Sequence, residues 1–194
     1  LPMFFDGKEV PQPRKKPEPP EKINTVDELW VNGMHIEQYK HAVIRPESYY
    51  LEGLKRDEGD IRCNTAMGVL MYRKGDFMSA LTYLKRAVKR SVSRNPNPHD
   101  MECYYQLGLA YKQLGMEEEA LAALKRAAWG YAWKSAALQQ SAEIFCRRGD
   151  LEAAVADLEA SMETNIHSLR TWAQHSAIRI RQGKTEAARL TAER

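Results

Sequence analysis

A catalytic or metal site needs histidine, cysteine and carboxylate brought together, and this chain carries them only at scattered positions. His35 and His41 lie six apart, which on a helix turning 100° per residue points them about 120° away from each other, a poor arrangement for joint metal ligation. Glu37 and His41, at i and i+4, share a helix face, where a surface ion pair is the simpler account. His99, His167 and His175 stand alone and read as loop or packing residues. Cys63, Cys103 and Cys146 are an odd number at wide spacings, fitting neither a disulfide framework nor a zinc site. They read as small buried hydrophobes in preference to reactive thiols. G-x-S-x-G, a glycine-rich phosphate loop, H-E-x-x-H and C-x-x-C are all missing from the sequence. No residue set therefore points to catalysis, a metal or a cofactor.

Two other groupings bear on binding. Trp129, Tyr131 and Trp133 form the densest aromatic run, which could stack on sugar rings or a partner peptide, or could fill the corner where one helix hands over to the next. Arg73, Arg147 and Arg181 each stand two residues before a glycine, with Lys112 one residue off that register. They could meet an acidic ligand, although cations at helix C-termini are favoured by the helix dipole alone. The same dipole argument covers Lys85, Arg86, Lys89 and Arg90.

The elements that must position these groups follow from composition and punctuation. In 194 residues, 43% are hydrophobic and 28% charged, an ordinary globular balance with room for a sizeable core. A net charge of +3 lacks the cationic excess of a nucleic-acid footprint, and the longest apolar runs are broken well before the roughly 20 residues of a membrane span. Neither nucleic acid nor membrane is expected as a partner, and a cytoplasmic setting is the default for unpaired cysteines. The opening Leu1-Pro2-Met3-Phe4-Phe5 lacks an initiator Met and reads as an excised piece of a longer chain. Six of the nine prolines fall in the first 20 residues, so 1–24 reads as an extended proline-rich arm. Its apolar residues Leu1, Met3, Phe4, Phe5 and Val10 could anchor it in a groove of its own molecule or a neighbour's, or on a convex side. From Thr25 onward helix formers dominate, with hardly any strand-like alternation.

Self-similarity is the strongest signal. Gly75 and Gly115 lie 40 apart, while Gly115, Gly149 and Gly183 follow at 34; Gly68 and Gly108 repeat the 40. A period of 34 is that of the tetratricopeptide repeat, whose pattern W-x2-L-G-x2-Y, then A-x3-F, places small residues where two helices cross. Tyr104, Leu107, Gly108, Tyr111, Ala120, Leu124 and Ala127 fit it, as do Met67, Gly68, Met71, Ala80, Leu84 and Ala87 with conservative swaps. Leu138, Ala142, Phe145, Ala154 and Leu158 keep the sizes in a third repeat. The fourth keeps Trp172 and Ala188 but carries His175, Ser176 and Arg179 where Leu, Gly and Tyr are wanted. Gly75-Asp76 and Gly149-Asp150 pair a terminating glycine with a capping aspartate. The six extra residues Arg94–His99 form a loop, after which Asp100 is expected to cap a helix. The expected fold is all-α, a right-handed α-solenoid of antiparallel pairs over 25–194, with a degenerate pair at 25–59 and repeats at about 61–94, 101–134, 135–168 and 169–194. A last helix from about Lys184 to Arg194 should be a polar cap that favours a monomer, Lys184, Glu186, Arg189, Glu193 and Arg194 being charged.

Longer strings resemble something more particular. LWVNGMHIEQYKHA (29–42), PESYYLEGLKRDEGD (46–60), RNPNPHD (94–100) and AAWGYAWKSAA (127–137) resemble the C-terminal repeat region of large bacterial proteins that carry an upstream β-sandwich, sugar-enzyme-like domain of unknown function. The resemblance implies a helical portion of a longer, carbohydrate-related protein, and any catalytic residues would sit upstream. Resemblance to tetratricopeptide modules further implies that the first helix of each repeat lines a concave groove for a protein or an extended peptide. Steps of i, i+3, i+7 and i+10 along those helices give Arg62, Thr65, Val69 and Tyr72; Glu102, Tyr105, Leu109 and Lys112; and Ala136, Gln139, Glu143 and Cys146. Of these, Arg62, Thr65, Val69, Tyr72, Tyr105, Leu109, Lys112, Gln139 and Glu143, with Arg73, Arg147 and Arg181, make the candidate ligand face. Thr65 and Val69 stand where the carboxylate-clamping subclass would need Lys and Asn, so that clamp is not expected. The two readings are an interaction or scaffolding module, and an ancillary helical region that positions or self-associates a larger carbohydrate-active enzyme.

Overall fold

The computed structural model describes residues 16–39 and 43–192, with the side chains of Thr191 and Ala192 left aside. Described residues form α1 (Val26–Gln38), α2 (Pro46–Arg56), α3 (Ile61–Arg73), α4 (Phe77–Ser91), α5 (Glu102–Gln113), α6 (Glu117–Ala127), α7 (Tyr131–Arg148), α8 (Leu151–Thr164), α9 (Leu169–Arg181) and α10 (Thr185–Ala192), with a 3-10 turn at Pro20–Lys22. No strand occurs among them. Each odd-numbered helix packs on the even one after it, each even one on the next odd one, and α1, α3, α5 and α7 also touch in sequence. This is the expected all-α solenoid, with the first helix of each pair along one side.

Local chemistry sets the ends. Gly75, Gly115, Gly149 and Gly183 all have φ between +74° and +82°, a region in which a Cβ is strained. Behind each, the next amide closes back on the helix, as in Asp76 N–H to Met71 O at 3.0 Å and Asp150 N–H to Phe145 O at 3.0 Å. Asp76 then accepts from Ser79 N–H at 3.0 Å and Asp150 from Ala153 N–H at 3.1 Å, so three residues separate α3 from α4 and two separate α7 from α8. Thr25 and Glu28 form a reciprocal capping box at the start of α1.

Helix crossings explain the small residues. A Cβ built on Gly68 would lie 2.5 Å from Leu84 Cγ, and one on Gly108 2.7 Å from Leu124 Cγ, so the pairs approach more closely than any side chain permits. The leading pair follows the same rule with a bulkier partner, Gly33 lying under the ring of Tyr50. The core is a chain of clusters, from Tyr50, Leu54, Cys63 and Met67, through Leu81, Leu84 and Leu107, to Leu121, Leu124 and Ile144 and then Val155, Leu158 and Ile178. Each repeat is thus held by its neighbours.

Three details depart from the sequence expectations. Met101 occupies the capping position of α5 and Asp100 acts one residue earlier, its Oδ1 accepting from Glu102 N–H at 2.8 Å. The third repeat begins at Tyr131, one turn ahead of the boundary expected after 134, because α7 runs for 18 residues with Gly130 in front of it. In the fourth repeat His175 is buried, its Nε2 3.2 Å from Glu159 Oε1, which also accepts from Arg179 at 2.7 Å; a polar cluster replaces the Leu and Tyr of the pattern. The arm is described only from Lys16. There Ile23 is buried beside Leu29, Ile36 and Tyr49, Tyr49 donates to Glu18 O at 2.7 Å, and Arg56 donates to Ile23 O at 2.6 Å. This part lies against the first pair, at the start of the stack. Leu1, Met3, Phe4, Phe5 and Val10, and also His41, Glu193 and Arg194, lie outside the described residues.

Candidate functional site

The stacking of odd-numbered helices puts positions one repeat apart side by side, and so builds a groove from helix faces. Arg62 pairs with Asp27 on α1 and sits 5.0 Å from the Trp30 ring; Arg73 pairs with Glu37, whose other oxygen accepts from Tyr50 Oη at 3.2 Å. Between α1, α3 and α5 these side chains leave a cavity of about 290 Å³, lined by Trp30, Met34, Thr65, Val69 and Glu102 among others. Thr65 is buried and returns its hydroxyl to Ile61 O at 2.7 Å. Glu102 is pushed above the ordinary carboxylate range, first by burial and then by the nearby Asp100, with Gln106 opposing. This half carries Asp27, Glu37, Asp100 and Glu102 against Arg62 and Arg73, and its balance is acidic.

The middle of the groove is aromatic and polar. Tyr72 accepts from Gln113 at 3.0 Å and meets the Phe77 ring edge-on at 5.3 Å. Tyr105 stacks on Trp133 at 4.9 Å, and Leu109 is half-buried one turn further along α5. Beyond them Lys112 donates to Gln140 at 2.7 Å and to Glu143 at 2.5 Å, Arg170 donates to Glu143 at 2.9 Å, Gln174 does so at 2.9 Å, and Gln139 donates to Gln174 at 3.0 Å. Burial is the largest single influence on Glu143 and pushes its pKa up. The bonds from Lys112 and Gln174 and the charges of Lys112 and Arg170 outweigh it, and hold the carboxyl below its usual range.

Between α7 and α9 the helices do not close on each other, and a second cavity of about 400 Å³ opens, with Ala142, Leu158, Ala177 and Ile178 in its lining and Lys112, Glu143, Cys146, Arg147 and Gln174 around it. Arg147 is exposed and reaches Glu117 only at 3.8 Å, the nearer bond to that carboxylate being Arg148 at 2.7 Å. Arg181 is exposed on α9 and close enough to Cys146 to act on its thiol.

The aromatic run is divided by the start of α7. Trp129 (69% exposed) and Tyr131 (79% exposed) stand on the surface, and the Arg126 guanidinium covers the Trp129 ring at 4.3 Å; Trp133 turns into the groove against Tyr105. Burial raises all three thiol pKa values, that of Cys103 to about 11. Among the described residues no group of three His, Cys, Asp or Glu could hold a metal, and no helix is long and apolar enough to cross a membrane. Sequence reasoning missed what the flanking helices give. The same four steps counted from Asp27 yield Trp30, Met34 and Glu37, and from Arg170 they yield Ala173, Ala177 and Ile180.

Five helix pairs among the described residues, glycine-closed turns and a groove lined by first helices define an α-solenoid of tetratricopeptide type. Residues 61–128 match the tetratricopeptide repeat family. Among solved structures the fold is similar to MamA from Desulfovibrio magneticus RS-1, with TM-score 0.69 and 16% identity over 88% of this chain and 93% of that one. It is also similar to YrrB, a TPR protein with an unusual peptide-binding site, with TM-score 0.64 and 16% identity over 84% and 81%. PilF of Pseudomonas aeruginosa gives TM-score 0.75 and 15% identity over 87% of this chain and 73% of that one. At such identities the likeness is one of fold.

Proposed function

We propose that the chain is a protein-interaction or scaffolding module, non-catalytic by itself, which holds an extended segment of a partner along the groove of α1, α3, α5, α7 and α9. The observation that carries this reading is the row of side chains repeated from helix to helix, with cavities at both ends and the Tyr105–Trp133 stack between them. Stacked repeats present long concave surfaces suited to extended ligands. The peptide-binding site of YrrB, a relative in fold, supports the same use here. The chain's own arm is one candidate segment, and a cytoplasmic monomer is the state we assign. A second reading, an ancillary helical region of a larger carbohydrate-active enzyme, rests on the strings at 29–42, 46–60, 94–100 and 127–137. Selection from a random dodecapeptide library tests the first. Recovered peptides should lose binding to Val69→Arg or Ala177→Arg, both groove substitutions, with the helical spectrum retained; peptides indifferent to both changes would sink it.

A further inference from the structure

The two ends of the groove differ in charge, and the α7–α9 end is apolar beneath a cationic rim. Its floor is Ala142, Leu158, Ala177 and Ile178, and its volume of about 400 Å³ suits one large aliphatic or aromatic side chain. Lys112, Arg147 and one carboxylate, Glu143, belong to its lining; Arg170 reaches that lining through Glu143, and Arg181 is close enough to Cys146, also in the lining, to act on its thiol. Lys112 and Arg170 are both engaged by Glu143, at 2.5 and 2.9 Å. Arg147 and Arg181 are not matched in this way. They lie 34 residues apart, one repeat, and so hold the same place on α7 and α9, the helices on either side of the cavity. Arg147 shares Glu117 at 3.8 Å with the closer Arg148, and among the described residues no carboxylate comes within ion-pair distance of Arg181. The dipole accounts for a cation at each helix end. It does not account for two exposed guanidinium groups set beside an open apolar cavity. A segment that filled the cavity while bringing carboxylates would bury apolar surface and pair these guanidinium groups together.

We propose that the α7–α9 end of the groove selects a partner segment in which one large apolar residue is flanked by carboxylates, the apolar side chain entering the cavity and the carboxylates pairing with Arg147 and Arg181. This rests on the groove reading above and names the chemistry of its ligand. The acidic α1–α3–α5 end would repel the same carboxylates, which fixes where on the groove such a segment sits.

Fluorescence anisotropy of the full chain with two labelled nonapeptides tests it, one with a central leucine between glutamates and the other with the same leucine between lysines. The glutamate peptide should bind at least tenfold more tightly, and Arg147→Gln with Arg181→Gln, both exposed, should lower its affinity about tenfold. Ala177→Phe, which fills the cavity and leaves every charge in place, should lower it as much as replacing the central leucine by glycine does. Equal or tighter binding of the lysine peptide, or a double arginine variant with unchanged affinity, overturns the proposal. So does a tenfold gain on Phe4→Ser with Phe5→Ser, which would give the cavity to the chain's own arm. Library peptides that depend on the groove but lack carboxylates would overturn this inference and leave the groove reading standing; failure of that reading is a library with no groove-dependent peptide.

Discussion

Glu143 holds three donors from two other helices, α5 and α9, so its removal should be felt well beyond its own side chain. Lys112 is 11% exposed and Glu143 25% exposed, which puts their pair between the surface case, worth at most about 1 kcal/mol, and the fully buried case, where loss of one partner costs about 3–5 kcal/mol. Glu143→Ala leaves Lys112 nearly buried with Gln140 alone, and also strips Arg170 and Gln174 of their acceptor. We expect a loss of about 2 kcal/mol, which at a urea slope of about 2 kcal/mol per molar moves the midpoint down by about 1 M. Lys112→Met should cost less, because it removes the desolvated charge itself and leaves Glu143 with Arg170 and Gln174. A double-mutant cycle across the two should return a coupling of about 1–2 kcal/mol. The carboxyl is held below its ordinary pKa, so its contribution is complete above the unfolded value of about 4.5 and is lost as pH falls through the folded value. The gap between the wild type and Glu143→Gln should therefore be constant at neutral pH and close in acid. A midpoint shift under about 0.2 M, additivity within about 0.3 kcal/mol, or a gap that widens in acid would refute the reasoning.

Glu102 has the opposite sign: burial raises its pKa, the folded state takes up its proton more readily than the unfolded, and at pH 7 the ionised group weakens the fold. Glu102→Gln should raise the melting temperature by about 1–2 °C at pH 7, an advantage that fades in acid, as calorimetry at two pH values would record. Gly108→Val should cost about 2–3 kcal/mol in chemical denaturation, since its Cβ would meet Leu124 Cγ at 2.7 Å and the Leu124 backbone nitrogen at 3.3 Å, and a backbone atom cannot swing aside. Gly75→Ala faces open space but φ of +80°, and should cost about 1–2 kcal/mol. Arg56→Ala removes the donor to Pro20 O, Ile23 O and Asn24 O, and limited proteolysis should then cut faster within 16–24 while α3 to α10 stay protected.

The solenoid was legible because its punctuation is local. Each turn glycine must adopt positive φ, and each crossing glycine lies under a leucine, so their spacing carries the repeat without reference to any distant contact. What was illegible depends on contacts made across the stack. Gly130 is the one local mark of where α7 begins, and what seats its first turn is distant, Trp133 stacking on Tyr105, 28 residues back. The leading pair hid its kinship because Tyr50 stands where the later repeats have Leu84 and Leu124, and only the crossing with Gly33 reveals the equivalence. His175 and Arg179 broke the pattern of the fourth repeat for a reason carried by α8, where Glu159 accepts from both.

The groove's electrostatics follow a rule that the repeat period itself supplies. Asp27 and Arg62 are 35 apart, Glu37 and Arg73 36, Lys112 and Glu143 31, Glu143 and Arg170 27, and Gln139 and Gln174 35. All bridge neighbouring first helices, so a polar residue about one period from its complement finds it, and one without a complement there faces the groove unmatched. Applied to the arginines before the turn glycines, the rule separates them. Arg73 has Glu37 one period back, whereas Arg147 has Gln113 behind it and Arg181 ahead. Three residues alike in sequence position and helix-dipole environment thus differ in how the fold engages them: Arg73 is part of the inner lacing of the stack, whereas Arg147 has only the 3.8 Å contact with Glu117 that Arg148 shares, and Arg181 has no carboxylate within ion-pair distance among the described residues, which is why the proposed ligand carboxylates are assigned to these two.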